Sequence, residues 1–294
     1  KQQGFKLLLQ GILADHDRVT NQARTGFRAL VSEFGSVRSL APRLDVDAVL
    51  ERFFTARIGL QLLMAHFMAS SQQREGFAGL VELRGSLAAL AEASAKKSMA
   101  ICHHELGRAP RIVVDEATPG ELTFVPAHVR YVFVELFKNA CRAVMEAHAG
   151  SEEGQLPPIV CRIEHGDAAS TVRVSDEGAG IRAESLPQAW GFLRSTCGST
   201  SPGPGLGFDG ARPGAVDSGT ALAGVGIGLP MSRLYMRHFG GDLRLAPREG
   251  RGTDVDLTLS KLGLEHENLP CSMPDPLVSH GWWDLAAAAP RSVA

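Results

Sequence analysis

Cysteine is scarce and never paired at metal-binding spacing: five occur in 294 residues, at Cys102, Cys141, Cys161, Cys197 and Cys271. Odd in number and far apart, they supply neither a disulfide framework nor a CxxC metal site, and a reducing compartment suits them best. Neither sign of charge is in excess, with 30 Lys and Arg against 32 Asp and Glu for a net −2. A protein that binds nucleic acid through phosphate electrostatics shows a basic surplus, so that class is set aside. No apolar run comes near the roughly 18 residues of a membrane span. With 44% apolar and 21% charged residues, the composition is that of a soluble globular chain with room for two ordinary domains. The chain opens Lys1-Gln2-Gln3 with no initiator Met, so a preceding segment, including any targeting signal, is expected to be missing. Glycine, by contrast, is plentiful: there are 32, and ten fall between Gly198 and Gly228. Such density marks a flexible loop or a place where backbone approaches a ligand closely.

The first hundred residues read as helices. From Asp45 to Ser71 the apolar residues Val49, Phe53, Ala56, Leu60, Leu63 and Phe67 recur at intervals of 4, 3, 4, 3, 4, one face of an amphipathic helix. A similar stripe runs through Phe5, Leu8, Leu9, Ile12 and Val19, and a third helix is expected from about Gly76 to His103. Long helices with short connections imply a bundle. After Pro110 the texture changes. Strands are expected at Arg111–Val114, Leu122–Val125, Ile159–Glu164, Thr171–Ser175, Asp242–Ala246 and Thr253–Ser260, and helices from Pro126 to about His148 and from Ile227 to Phe239. The last strand carries the plainest alternation, with Val255, Leu257 and Leu259 against Asp256 and Thr258. The fold class is therefore α+β: a helical bundle over residues 1–108, an α/β layer over 109–264, and a tail over 265–294 with no clear element.

Four short segments carry chemistry. On the Pro126 helix, Glu135, Lys138, Asn139 and Arg142 are offset by 0, 3, 4 and 7 residues, which places them on one face. A carboxylate, an amide oxygen and two cations together suit a metal–polyphosphate ligand, with Asn139 as a hard oxygen donor to Mg²⁺. The plain alternative is a solvated stripe. Asp176-Glu177-Gly178-Ala179-Gly180 follows a strand, where an Asp can accept from an amine and glycines let backbone turn beneath a ligand. Gly224-Val225-Gly226-Ile227-Gly228-Leu229 leads into a helix whose first NH groups bind anionic oxygens readily. Gly250-Arg251-Gly252-Thr253 turns between the last two strands.

In order, spacing and context these segments resemble the N, G1, G2 and GT boxes of the GHKL ATPases, the superfamily of gyrase, the ninety-kilodalton heat-shock chaperone, MutL and histidine kinases. The strings VELFKNACRAVMEAH, VRVSDEGAGI and GVGIGLPMSRLYMRHFGGDLRL with GRGTDVDLTL are similar to those of the mitochondrial protein kinases, as are LADHDRVT and ARIGLQLLMAHF in the helical half. That family comprises pyruvate dehydrogenase kinase and branched-chain α-keto acid dehydrogenase kinase. The resemblance implies a Bergerat-type α/β sandwich that binds ATP and Mg²⁺. It also implies serine phosphorylation that inactivates the E1 subunit of an α-keto acid dehydrogenase complex, pyruvate dehydrogenase first and the branched-chain complex as alternative. By position, Glu135 is the general base with Lys138 beside it, and Asn139 holds the metal with Arg142 near the phosphates. Asp176 takes the adenine amine and Thr253 helps seat the base. Gly178 and Gly180 admit the backbone, while Gly224, Val225, Gly226, Ile227, Gly228 and Leu229 hold the triphosphate. Ser195 and Thr196 open a glycine-rich ATP lid reaching about Ala223. The same resemblance implies docking on the lipoyl domain of E2 through the helical half, a homodimer and a mitochondrial matrix location.

Some features depart from the pattern. Tyr131, one turn before Glu135, matches the branched-chain enzyme, whereas Phe137 and SRLYMRHF resemble the pyruvate enzyme. Glu177 stands where the family usually has Arg, and either weakens nucleotide binding or points to solvent. Trp282-Trp283-Asp284 replaces the family's Asp-Trp tail pair. His104-Glu105-Leu106 imitates the phosphoacceptor box of a two-component histidine kinase. Only 135 − 104 = 31 residues separate that His from Glu135, which leaves no room for a further bundle helix, so His104 is read as a helix-end residue. His66 is read as a packed histidine, and His128 as a residue of the catalytic helix without an assigned role. An ATP-driven clamp would need a transducer domain, and 294 − 262 = 32 residues are too few for one. A non-catalytic ATP-binding regulator is disfavoured by the intact Glu135 and Asn139.

Overall fold

The computed structural model describes residues 2–34, 45–192 and 226–262. Helix α1 spans Gln2–Phe34 and α2 spans Val46–Ser70, where the Asp45 carboxylate caps the helix by accepting from the Ala48 N–H at 3.1 Å. The expected long helix before His103 divides in two. Residues Phe77–Ala78 (β1) and Val81–Gly85 (β2) form an antiparallel hairpin, and only Leu87–Leu106 (α3) is helical. Gly79 makes the hairpin possible: its φ is +61°, and a Cβ there would press on the His66 ring. Ser86 then restarts the helix, its hydroxyl accepting from the Ala89 N–H at 3.1 Å, and Gly107 closes it in the left-handed conformation. His104 lies exposed in the last turn, as expected of a helix-end residue.

Next come β3 (Ile112–Thr118), β4 (Leu122–Phe124), α4 (Pro126–Ala147), β5 (Ile159–His165), β6 (Ala169–Ser175) and a short α5 (Leu186–Ala189). Helix α6 (Gly228–His238), β7 (Asp242–Arg248) and β8 (Gly252–Ser260) complete the described chain. Strands and helices of this half stand close to where alternation and periodicity put them, most strands extending one to three residues further. Five strands make one sheet in the order β3-β5-β6-β8-β7, antiparallel except for β3 and β5. The hairpin of the helical half joins β4 in a second small sheet.

Alternation decides which face of the large sheet is buried. Ile159, Cys161, Ile163, Val172, Val174, Leu243, Val255, Leu257 and Leu259 point inward, under α4 and α6. Outward, Arg173 lies opposite Asp256 and bonds it at 2.6 Å, and Arg162 reaches Glu164 and Asp115. The inner face therefore covers the core, and α4 is the element it covers.

Helix α2 turns the other way from the sequence reading. Its buried residues include Leu50, Phe54, Ile58, Leu62 and Ala65, whereas Phe53, Leu60, Leu63 and Phe67 are 42–63% exposed. Both stripes satisfy helical periodicity because the helix is apolar nearly all round. Packing against α6, together with the Phe192 ring stacked on Phe54, buries the Leu50–Phe54 side, while the exposed Phe67 meets Phe5 edge to face, with ring centroids 5.5 Å apart.

His128, in the first turn of α4, is buried among aromatic rings, 4.6 Å from Tyr235 and 6.5 Å from His238 by centroid. Burial first, and then His238, push its imidazole down to about 3. An unfolded imidazole titrates near pH 6.5, so on acidification the unfolded chain binds a proton that the native state excludes until about pH 3. Native stability should therefore fall by about 2 kcal/mol between pH 6.5 and pH 5 from this residue. Urea midpoints at pH 7 and pH 5 should move apart less in His128→Leu than in the parent chain, and equal displacement would remove His128 as the cause.

Candidate active site

Helix α4 begins with Pro126 at its first position, where a missing N–H costs nothing. Most of its surface is apolar, yet the buried set includes Glu135 and Lys138. Lys138 Nζ lies 2.6 Å from Glu135 Oε1, with side chains only 5% and 7% exposed, so the solvated-stripe alternative does not hold for this pair. Buried ions of this kind persist only where surrounding groups offset their lost hydration. Part of that offset comes from α6: a Cβ at Gly228 would overlap Glu135 Oε2, so the carboxylate sits against the start of that helix, the end that favours negative charge. Lys97 of α3 joins the cluster. Its ammonium is pulled below the ordinary range by burial first, then by Lys138 and Arg130, while Glu135 pulls it back. The Tyr131 phenol is held well above its ordinary range, chiefly by burial and next by the Glu135 charge, so it stays protonated and can donate.

The other two members of the offset set face outward. Asn139 is exposed, and Arg142 is engaged one turn on by Glu146 at 2.7 Å. Among the described residues no three His, Cys, Asp or Glu side chains converge as a metal cage. The exposed Asn139 amide oxygen is a hard donor of the kind that could hold a magnesium ion alongside non-protein oxygens.

The second part of the site hangs from the end of β6. Asp176 is 5% exposed. Its Oδ1 accepts from the Gly178 N–H at 2.9 Å and the Thr253 N–H at 3.2 Å, and its own N–H donates to the Thr253 carbonyl at 3.0 Å. No donor among the described residues engages Oδ2, which is left to accept from a ligand N–H. Burial raises the carboxyl above the ordinary aspartate range, and the two backbone N–H groups offset this only in part. Thr253 is itself buried. Gly252 permits this closeness: its φ is +110°, and any Cβ would overlap the Asp176 carbonyl oxygen. Gly178 rests on Ala143 of α4, and Gly180, at φ +72°, lies against the Arg248 and Gly252 carbonyls. Glu177 is exposed, so its side chain points to solvent.

Of the G2 segment, Gly226 (φ +76°), Ile227 and Leu229 stand with Gly228 at the entry to α6. Ser195, Thr196, Gly224 and Val225 lie outside the described residues, as do the rest of the lid to Ala223 and the whole tail, Trp282-Trp283-Asp284 included. Lys97 was not singled out from the sequence, and no spacing within α3 could have marked it; only the packing of α3 on α4 brings it to Glu135. Gly252 lay inside a recognised turn, but its close approach to Asp176 joins residues far apart in the chain.

Residues 124–262 match the family model described as Histidine kinase-, DNA gyrase B-, and HSP90-like ATPase. Residues 1–98 match that of Mitochondrial branched-chain alpha-ketoacid dehydrogenase kinase. The chain is 31% identical over 279 residues to the mitochondrial pyruvate dehydrogenase (acetyl-transferring) kinase of Schizosaccharomyces pombe, covering 93% of this chain and 61% of that protein. To the protein of the same name from Arabidopsis thaliana it is 32% identical over 269 residues, covering 90% and 70%. To isozyme 1 of Rattus norvegicus it is 31% identical over 238 residues, covering 77% and 52%. The chain thus spans 52–70% of the length of these relatives.

Gly252→Ala should lower stability by about 2–4 kcal/mol, because it combines a positive-φ penalty with a backbone overlap. Denaturant unfolding checks this, and a loss below about 0.5 kcal/mol would mean the Asp176–Thr253 clamp tolerates a side chain.

Proposed function

Because the chain belongs to the mitochondrial protein kinase family of pyruvate and branched-chain α-keto acid dehydrogenase kinases, within the GHKL ATPases, we propose that it is an ATP-dependent protein-serine kinase. Its substrate is the E1 subunit of an α-keto acid dehydrogenase complex, pyruvate dehydrogenase foremost, which it inactivates. The observation that carries this reading is the buried Glu135–Lys138 pair set against the start of α6, on the helix that also supports the Asp176 turn. In this reading residues 1–108 dock on the lipoyl domain of E2, residues 109–264 hold ATP and transfer phosphate, and 265–294 form a tail. The kinase works as a homodimer in the mitochondrial matrix, and its relatives are named as mitochondrial.

Asp176 Oδ2 accepts from the adenine amine, and Thr253 closes the other side of the base. The N–H groups at the start of α6, after Gly226 and Gly228, meet the phosphates. Magnesium, when bound through Asn139, neutralises phosphate charge and orients the terminal group. Phosphate oxygens offer the Lys138 ammonium a competing anion, which loosens its hold on Glu135. Glu135 then takes the proton of the acceptor serine hydroxyl as that oxygen bonds to the γ-phosphorus, and the bond to the β,γ-bridging oxygen breaks to release ADP. Tyr131, held protonated near the Glu135 charge, does not compete for the proton. The low exposure around the pair keeps water from replacing the serine.

Glu135→Gln should keep its affinity for ATP-Mg and lose at least about 100-fold in transfer, the usual worth of a general base. Labelled-phosphate transfer to purified pyruvate dehydrogenase E1 and branched-chain E1, side by side with lipoylated E2, reads this and also separates the two substrates. An unchanged rate in the variant would remove Glu135 as base. Transfer by the parent chain to neither E1, with ATP still bound, would point instead to a non-catalytic regulator.

Asp176→Ala should abolish nucleotide binding. Since the native carboxyl is held above the usual aspartate range, protonation removes the acceptor early on acidification. ATP affinity should accordingly decline from a higher pH than an exposed aspartate would give, measured by titration between about pH 7 and pH 4. A flat profile over that range would place the adenine elsewhere.

A further inference from the structure

Two glycines leave the Asp176-Glu177-Gly178-Ala179-Gly180 turn with little side-chain packing of its own, so its position must be imposed from outside. On the β8 side the clamp to Thr253 does this, together with the Gly250 N–H bonded to the Ala179 carbonyl at 2.8 Å. On the α4 side there are two contacts. Gly178 lies on Ala143, so close that a Cβ would come within 2.6 Å of the Ala143 Cβ. The second is His148, the residue that ends α4, whose Nε2 stands 3.0 Å from the Glu177 carbonyl oxygen across 29 positions of sequence.

A carbonyl oxygen only accepts, so His148 Nε2 must carry the hydrogen. The neutral Nε2–H tautomer and the imidazolium both satisfy this, and the contact does not depend on which is present. The backbone that carries the ring is also held. The His148 N–H closes the helix onto the Val144 carbonyl at 2.9 Å, and Arg108 Nη2 donates to the His148 and Ala149 carbonyls at 3.4 Å and 2.8 Å. A guanidinium at a helix C-terminus satisfies carbonyls that lack partners and matches the dipole there. The result is a braced strut from Arg108, through the end of α4, to the peptide that follows Asp176.

We propose that His148 is a positioning residue for nucleotide binding: its Nε2–H holds the Glu177 carbonyl, and so fixes the Asp176 carboxylate where it meets the base of ATP. This rests on the reading of Asp176 as the adenine acceptor. Glutamine can place an amide N–H where Nε2 stands, whereas asparagine reaches only as far as Nδ1, and alanine supplies no donor. The test is calorimetric titration of the whole chain with ATP-Mg for His148→Ala, His148→Asn, His148→Gln and Asp176→Ala. The Ala and Asn variants should bind about 3- to 10-fold more weakly, the worth of one hydrogen bond, and the Gln variant should stay within about two-fold of the parent. Equal weakening by Gln and Asn would assign His148 to packing and overturn the proposal, as would parental affinity in all three. Should His148→Ala fail to fold by far-ultraviolet circular dichroism, the Gln and Asn pair decides the matter. Asp176→Ala keeps the two readings apart. Lost binding there with parental affinity in the His148 variants defeats the strut alone, and unchanged binding there defeats the adenine site on which the strut depends.

Discussion

A carboxylate and an ammonium buried together on α4 set the terms for what surrounds them. Removing Glu135 and Lys138 from water costs several kcal/mol per ion before any compensation, and the 2.6 Å contact between them recovers only part. Part of the remainder comes from the start of α6 behind Gly228, the helix end that favours the carboxylate. A helix that must be buried and also carry charge needs elements on every side, and α3, α6 and the inner sheet face provide them.

The same helix organises the rest of the site. Its middle carries the ion pair, Ala143 near its end receives Gly178, and His148, which caps that end, reaches the Glu177 carbonyl. A rigid element thus fixes two chemically different centres, a charged one and a hydrogen-bonding one, at a set separation. The helical half contributes through the same contact surface. Lys97 of α3 approaches the pair, and Phe192, just after α5, stacks on Phe54 of α2 at 5.4 Å while donating its N–H to Asp47. The two halves therefore share their core rather than meeting at a hinge.

Strands whose inward residues alternate cleanly were legible in advance. Val255, Leu257 and Leu259 predicted β8 nearly to the residue, because one buried face imposes a period of two. Periodicity was a poor guide where a segment is apolar on more than one face. Leu50, Phe54, Ile58 and Leu62 of α2 recur as regularly as Phe53, Leu60, Leu63 and Phe67, and tertiary packing, by α6 and Phe192 among others, distinguishes them. The β1–β2 hairpin escaped notice because it is short and is stabilised by β4, more than thirty residues further on. Within the site, the acid, the amide and the glycines were found as residues in motifs. That Glu135 and Lys138 are buried while Asn139 is exposed was not contained in their spacing.

What the sequence by itself determined is local or written in contiguous strings: helix and strand periods, and the four ordered segments that mark the family. Such signals survive in one dimension because their physical cause acts between residues a few positions apart. Tertiary structure alone decided which helix face is core, that Oδ1 of Asp176 is taken by backbone 77 positions away, and that His148 meets Glu177. Those outcomes depend on where separate elements come to rest against one another, and no local period encodes the surface a residue will find on a partner it reaches only through the fold.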